Sequence, residues 1–168
     1  MTSLVTNPGI DERSFRQAMG SFATGVCVIT TQRADGEAVG MTVNSFSSVS
    51  LAPPLVLFCL GQDSPRGHAM IEAGRFNVNI LAADQVAASN HFAKPGEGIA
   101  PEGGHSPADN GCPSLHGAVS VIECDLETTH PGGDHTIIVG RVTRLTTDME
   151  RQPLLYARGY RQLGDAVE

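Results

Sequence analysis

GMTVNSFSSVSLAPPLVLFCL, residues 40–60, is the stretch on which the fold turns. Leu55 to Leu60 (LVLFCL) is an unbroken apolar run of central-strand length, and Pro53-Pro54 ahead of it breaks the chain. Before that break, Thr42, Asn44, Ser45, Ser47, Ser48 and Ser50 are small, polar and uncharged. On a strand such side chains fall on both faces, and a hydroxyl on a buried face needs a partner. Two readings stay open for this segment. It is either an exposed Ser/Thr-rich edge strand or a set of neutral donors for a phosphate or a sugar-alcohol chain.

Working outward, Glu37 onward forms a strand that continues through residue 50, and Val26 to Thr31 (VCVITT) is a β-branched strand before it. Arg33-Ala34-Asp35-Gly36 is the turn that joins them as a hairpin. Further upstream, Phe15, Ala18, Met19 and Phe22 recur at helical spacing behind Asp11, a plausible N-cap. Downstream, Ser64-Pro65 opens a short helix to Gly74, and Arg75 to Leu81 (RFNVNIL) alternates as a strand. A helix is expected from Asp84 to Phe92. Residues 94–114 are rich in Gly, Pro and Asp with no periodic signal, as in a lid, a binding loop or a dimer arm. Ala118 to Thr129 and Thr136 to Thr147 read as two long strands, and Pro153 to Tyr160 is ambiguous between strand and helix.

Strands without βαβ alternation indicate a mainly β protein, an antiparallel and closed or nearly closed barrel with a few short flanking helices. At 168 residues and 17.6 kDa this is one domain, expected over residues 11–168 behind a loose arm of residues 1–10. The net charge of -7 is the wrong sign for nucleic acid or an anionic bilayer, and no apolar run is long enough to span a membrane. Without a basic-then-apolar leader pattern, the expected location is the cytoplasm.

Absences narrow the chemistry. Lys94 is the one lysine, which excludes a P-loop, and there is no GxGxxG, GxSxG or HExxH. Any nicotinamide dinucleotide therefore binds without a Rossmann fingerprint. Cys27, Cys59 and Cys124 sit in apolar or strand-like stretches and read as buried thiols. Cys112, His116 and His105 lie near one another in sequence, but a Gly/Pro loop with no second ligand pair is poor support for a metal site, and none is expected. The helix opened by Ser64-Pro65 presents its positive end to an anion, with the fork-shaped donor of Arg66 beside it. The same residues also suit an ordinary cap and a solvated arginine. His135, after Gly132-Gly133-Asp134, stands at a strand start from which a side chain can project into a cleft; a lone histidine of this kind is more often structural or solvated than catalytic.

The stretches FRQAMGSFATGVCVITT (15–31), GMTVNSFSSVSLAPPLVLFCL (40–60), FNVNIL (76–81), HFA (91–93), GGDHTIIVGRV (132–142) and PLLYARGYR (153–161) occur in an order and spacing that resembles the flavin reductase family of the FMN-binding split barrel. These are the reductase components of two-component flavin monooxygenases. The resemblance implies a homodimer of split barrels that reduces FMN or FAD with NADH or NADPH and supplies a partner monooxygenase. It implies hydride transfer from nicotinamide C4 to flavin N5, with the protein contributing orientation and electrostatics. It also implies cofactor contacts from Thr42, Val43, Asn44, Ser45, Ser47, Ser48, Cys59, Leu60, Ser64, Arg66, His91 and Phe92, and a place for His135 on the nicotinamide side as the catalytic residue. A flavin-binding barrel with little reductase activity, a carrier or sensor, is the alternative.

Overall fold

A computed structural model describes residues 9–94 and 104–165. The expected arm therefore lies almost wholly outside the described residues, as does part of the 94–114 loop. Helix α1 (Glu12–Met19) starts where Asp11 accepts a hydrogen bond from the Ser14 N–H, as its sequence predicts. Strands β1 (Thr24–Gly25), β2 (Cys27–Gln32) and β3 (Ala38–Val43) follow, the last two forming the expected hairpin around Gly36 at φ 88°.

The single strand expected from residue 37 to residue 50 is instead two. β3 ends at Val43, and β4 (Ser47–Leu51) pairs with β5 (Pro54–Gly61), bulging between Ser48 and Ser50. The break has a local cause. The Ser45 hydroxyl accepts the Cys59 N–H at 2.9 Å, which takes residues 44–46 out of the β3 ladder and across to β5.

Helix α2 (Pro65–Ala73) carries Ser64 as N-cap and ends at Gly74 in the left-handed region, both as read from the sequence. β6 (Arg75–Ile80), α3 (Val86–Ala93), β7 (His105–Pro107), β8 (Pro113–Leu115), β9 (Ser120–Gly132), β10 (His135–Thr147), β11 (Leu155–Tyr156) and β12 (Tyr160–Arg161) complete the chain. The unpatterned loop thus contains a small β7–β8 hairpin, and Pro153 to Tyr160 resolves into two-residue strands.

The main sheet runs β3-β2-β6-β9-β10-β5-β4, all antiparallel. Among the described residues no ladder joins its two edges, β3 and β4, so the sheet is mainly β and antiparallel as expected but is not closed by strand pairing. Residues 44–46 are the link between those edges. Its core holds Ile29, Phe58, Phe76, Val78 and Ile138, with Phe58 and Phe76 edge-to-face at 5.1 Å. Gly140 lets the sheet close on that pair, since a Cβ there would stand 2.4 Å from the Phe76 ring.

β6 departs from simple alternation because both of its asparagines are fully buried. Their amides serve as backbone substitutes. Asn79 donates to Val28 O and Thr30 Oγ1 and accepts the Leu115 N–H. Asn77 donates to the carbonyls of Cys112 and Pro113 and accepts from Asn110. Together they fasten the 110–115 segment to the sheet.

Replacing Asn79 with Ala takes this amide from Val28 O and from the Leu115 N–H in a dry interior, while Thr30 keeps its bond to Pro113 O, and is expected to lower the unfolding free energy by about 2–4 kcal/mol in urea titration. A loss under about 0.5 kcal/mol would show the segment to be held by other means. Burial pushes the Cys27 and Cys124 thiols up from 9.0 to about 12. Their neutral forms are favoured in the fold, so the stability they contribute is complete below pH 9 and declines as pH rises from 9 toward 12. A melting series across that range checks the sign, and removing both thiols should flatten it.

Candidate functional site

Three elements converge on the outer half of β3. Helix α3 lies across it, the first turn of α2 meets it from the side, and residues 44–46 leave from its end. The approach of α3 depends on Gly40, where a Cβ would stand 2.6 Å from two ring carbons of Phe92. Arg66 secures the same junction, its Nη1 donating to Gly40 O at 3.0 Å and to Phe92 O at 3.1 Å. A guanidinium shared by two carbonyls is a strong tie, because charge-assisted bonds exceed neutral ones.

Arg66 is therefore not simply a solvated side chain beside a helix end. One of its nitrogens is committed to the scaffold, while Nε and Nη2 make no hydrogen bond among the described residues. In the first turn of α2, Pro65 has no N–H and that of Gly67 goes to the Ser64 hydroxyl at 3.2 Å, which leaves the Arg66 N–H. Ser64 also donates toward Met41 Sδ at 3.7 Å. Leu60 is buried under this turn against Gly67.

Beside this junction lies a cleft of about 360 Å³ lined by Val26, Thr42, Val43, Asn44, Ser89, Ala93, Tyr156 and Tyr160. Thr42 donates its only proton to Ser89 O at 2.7 Å, so its oxygen presents lone pairs to any further partner. Ser45 is likewise engaged with the Cys59 backbone. The polar segment is thus less a row of free donors than its composition suggests. Asn44, Ser47 and Ser48 are exposed, the Ser47 hydroxyl donating to Ser48 O at 3.2 Å.

The structure brings Thr42, Val43 and Asn44 together in the cleft, while Ser64 and Arg66 do not line it and are tied to the β3 and α3 that wall it through Met41 and through the Gly40 and Phe92 carbonyls. Phe92 is buried with its ring on Gly40, and His91 stands edge-on to it at 4.9 Å. Both support α3. His135 opens β10 opposite Gly61, at the end of β5 that leads to Ser64. Its Nδ1 lies 2.8 Å from Asp134 Oδ1, and this hydrogen bond holds the Asp134 carboxyl below its ordinary value. Sequence reasoning missed Ser89, whose role rests on partners in β3 and β12, and Tyr156 and Tyr160, because two-residue strands carry no periodic signal. Cys112 is buried with its sulfur 3.9 Å from the Thr31 hydroxyl, turned into the sheet.

The flavin reductase like domain matches residues 19–164. The chain is 42% identical over 149 residues to a probable flavin reductase of Rhizobium meliloti, covering 89% of this chain but 48% of that one, so it spans about half that relative's length. It is 39% identical over 154 residues to the reductase component of 4-hydroxyphenylacetate 3-monooxygenase from Thermus thermophilus, covering 90% of this chain and 97% of that one. The NADH:FAD oxidoreductase SgcE6 of Streptomyces globisporus, solved with NAD and FAD fragments, is similar at a TM-score of 0.89 and 35% identity, with 98% and 99% of the two chains covered. The chain belongs to the flavin reductase family.

Arg66→Ala should lower the melting temperature by several degrees, since it frees α3 from β3 as well as removing a charge. Arg66→Lys, which keeps charge without the fork, should restore little of the loss. Full stability in both variants would show the Gly40–Phe92 contact to be sufficient alone.

Proposed function

We propose that this flavin reductase-family chain uses NADH or NADPH to reduce FMN or FAD in the β3–α3 cleft and hands the reduced flavin to a partner monooxygenase. The observation that carries this reading is the convergence of an uncharged polar cleft with the first turn of α2 and Arg66. The donor set fits a flavin: lone pairs at Thr42 for an N–H or O–H, the exposed Asn44 amide for a carbonyl edge, and the Arg66 N–H and free guanidinium nitrogens for a phosphate. When bound, a flavin supplies the hydride-accepting ring.

The residues of the chain bind and orient. Ser45 and Cys59 hold the β3–β5 link rigid through the backbone, Ser64 fixes the turn that presents Arg66, and His91 and Phe92 keep α3 in place. Ser47 and Ser48 extend the polar rim. His135 is assigned to the nicotinamide side, with Asp134 fixing its ring through Nδ1 so that Nε2 faces outward. No general base is assigned. A site of neutral groups with one partly committed cation suits a flavin that exchanges, as delivery to an oxygenase requires.

We also read the sheet as a split barrel whose gap is bridged by residues 44–46, and the active form as a homodimer in the cytoplasm. The apolar residues of α1 and of the turn after it support the dimer: Phe15 and Met19 on α1 and Phe22, three residues past its end, are all exposed, Phe22 by 76%, and α1 buries no residue of its own. An eight-residue helix with a bare apolar face needs a covering surface to be stable.

Mixing the protein with reduced nicotinamide and FMN or FAD should deplete 340 nm absorbance well above the protein-free rate. Nicotinamide consumption at that background rate with all four pairings would favour the carrier alternative. By light scattering, the wild-type chain should have the mass of a dimer and Phe22→Glu that of a monomer. A monomeric wild type would remove the homodimer from the account.

A further inference from the structure

Tyr156 and Tyr160 are the aromatic side chains lining the polar cleft, and they differ in how they are held. Tyr160 is fixed by its hydroxyl, which lies 2.9 Å from both Asn90 Oδ1 and Ser89 Oγ, its one proton going to the amide oxygen and its lone pairs facing the serine hydroxyl. Ser89 is buried, and its carbonyl takes the Thr42 proton. One residue of α3 therefore sets the position of Tyr160 on one side of the cleft and of Thr42 on the other. Among the described residues Tyr156 has no such anchor. It rests edge-to-face on Tyr160 at 5.7 Å and stays 38% exposed.

Tyr156 is thus partly open to the cleft and backed by a neighbour that is itself anchored. Its edge-to-face contact leaves a π-face available, and such faces take planar heteroaromatic rings with little regard to their hydrogen-bonding edges. The short strands serve the same end. β11 is paired on one side with β1 and on the other with β12, so Tyr156 projects from a backbone held from both sides.

We infer that Tyr156 is a ring-stacking residue of the cleft, and that Tyr160 is the positioning residue that keeps it in register with Thr42 through Ser89. The inference rests on the reading of the cleft as the flavin site. The ligand group recognised is a planar nitrogen heterocycle. Tyr156 contributes through its π-face, so its hydroxyl is dispensable. Tyr160 contributes through its hydroxyl, so its ring alone is not sufficient.

The test is fluorescence titration of FMN with the wild type and with Tyr156→Leu, Tyr156→Phe and Tyr160→Phe, alongside their melting temperatures. Tyr156→Leu should weaken binding about tenfold and reduce the quenching of bound FMN, with an unchanged melting temperature. Tyr156→Phe should bind within about twofold of wild type. Tyr160→Phe should weaken binding about threefold despite keeping its ring. Wild-type affinity and quenching in Tyr156→Leu would overturn the assignment and leave the flavin site standing, as would equal losses in the Leu and Phe variants. A wild-type chain that fails to bind FMN or FAD would overturn the reading of the cleft itself and this assignment with it.

Discussion

The distance between α3 and β3 is the constraint on which the rest of the site depends. It is short because residue 40 has no side chain and the Phe92 ring occupies the space a Cβ would fill. Arg66 then ties the two carbonyls on either side of that contact to the first turn of α2. Three elements that the sequence separates widely are thereby locked at one point. From that point Thr42 meets Ser89, Ser89 meets Tyr160, and the cleft acquires fixed walls. Were α3 further away, the Thr42 proton would have no carbonyl to go to, and the cleft would lose its one oriented acceptor.

This arrangement changes the meaning of the polar segment in residues 42–48. Its hydroxyls are largely spent on the protein itself: Thr42 on α3, Ser45 on β5. They orient backbone and leave lone pairs, and the task of donating to a ligand falls to Asn44, the Arg66 N–H and the remaining guanidinium nitrogens. The polar groups of Thr42, Ser45 and Ser89 are affordable here because each has a partner, as is also true of Asn77 and Asn79 in the sheet. Such a site draws its shape from hydrogen bonds made within the chain.

Much of the fold was legible because its signals are local. Asp11 and Ser64-Pro65 start helices, Gly74 ends one, Gly36 turns a hairpin, and the apolar run 55–60 is a strand between two others. What escaped notice is set by partners far along the chain. The break after Val43 needs Cys59, the burial of Asn77 and Asn79 needs the carbonyls and amides of residues 28 and 112–115, and the engagement of Arg66 needs carbonyls 26 residues away in each direction. The candidate site divides in the same way. Thr42, Asn44, Ser64 and Arg66 were singled out from composition and capping and Val43 from the family resemblance, whereas the cleft positions of Ser89, Tyr156 and Tyr160 depend on a helix and two short strands brought together by the fold.

The central claim is that a flavin sits in the cleft between β3 and α3, with its phosphate toward Arg66. A crystal structure of the chain grown with FMN tests it most directly. The account predicts ring density in contact with Asn44 and Tyr156, and phosphate density within hydrogen-bonding distance of the Arg66 N–H or guanidinium. Density for the ring system elsewhere on the molecule, with that cleft filled by water, would contradict it.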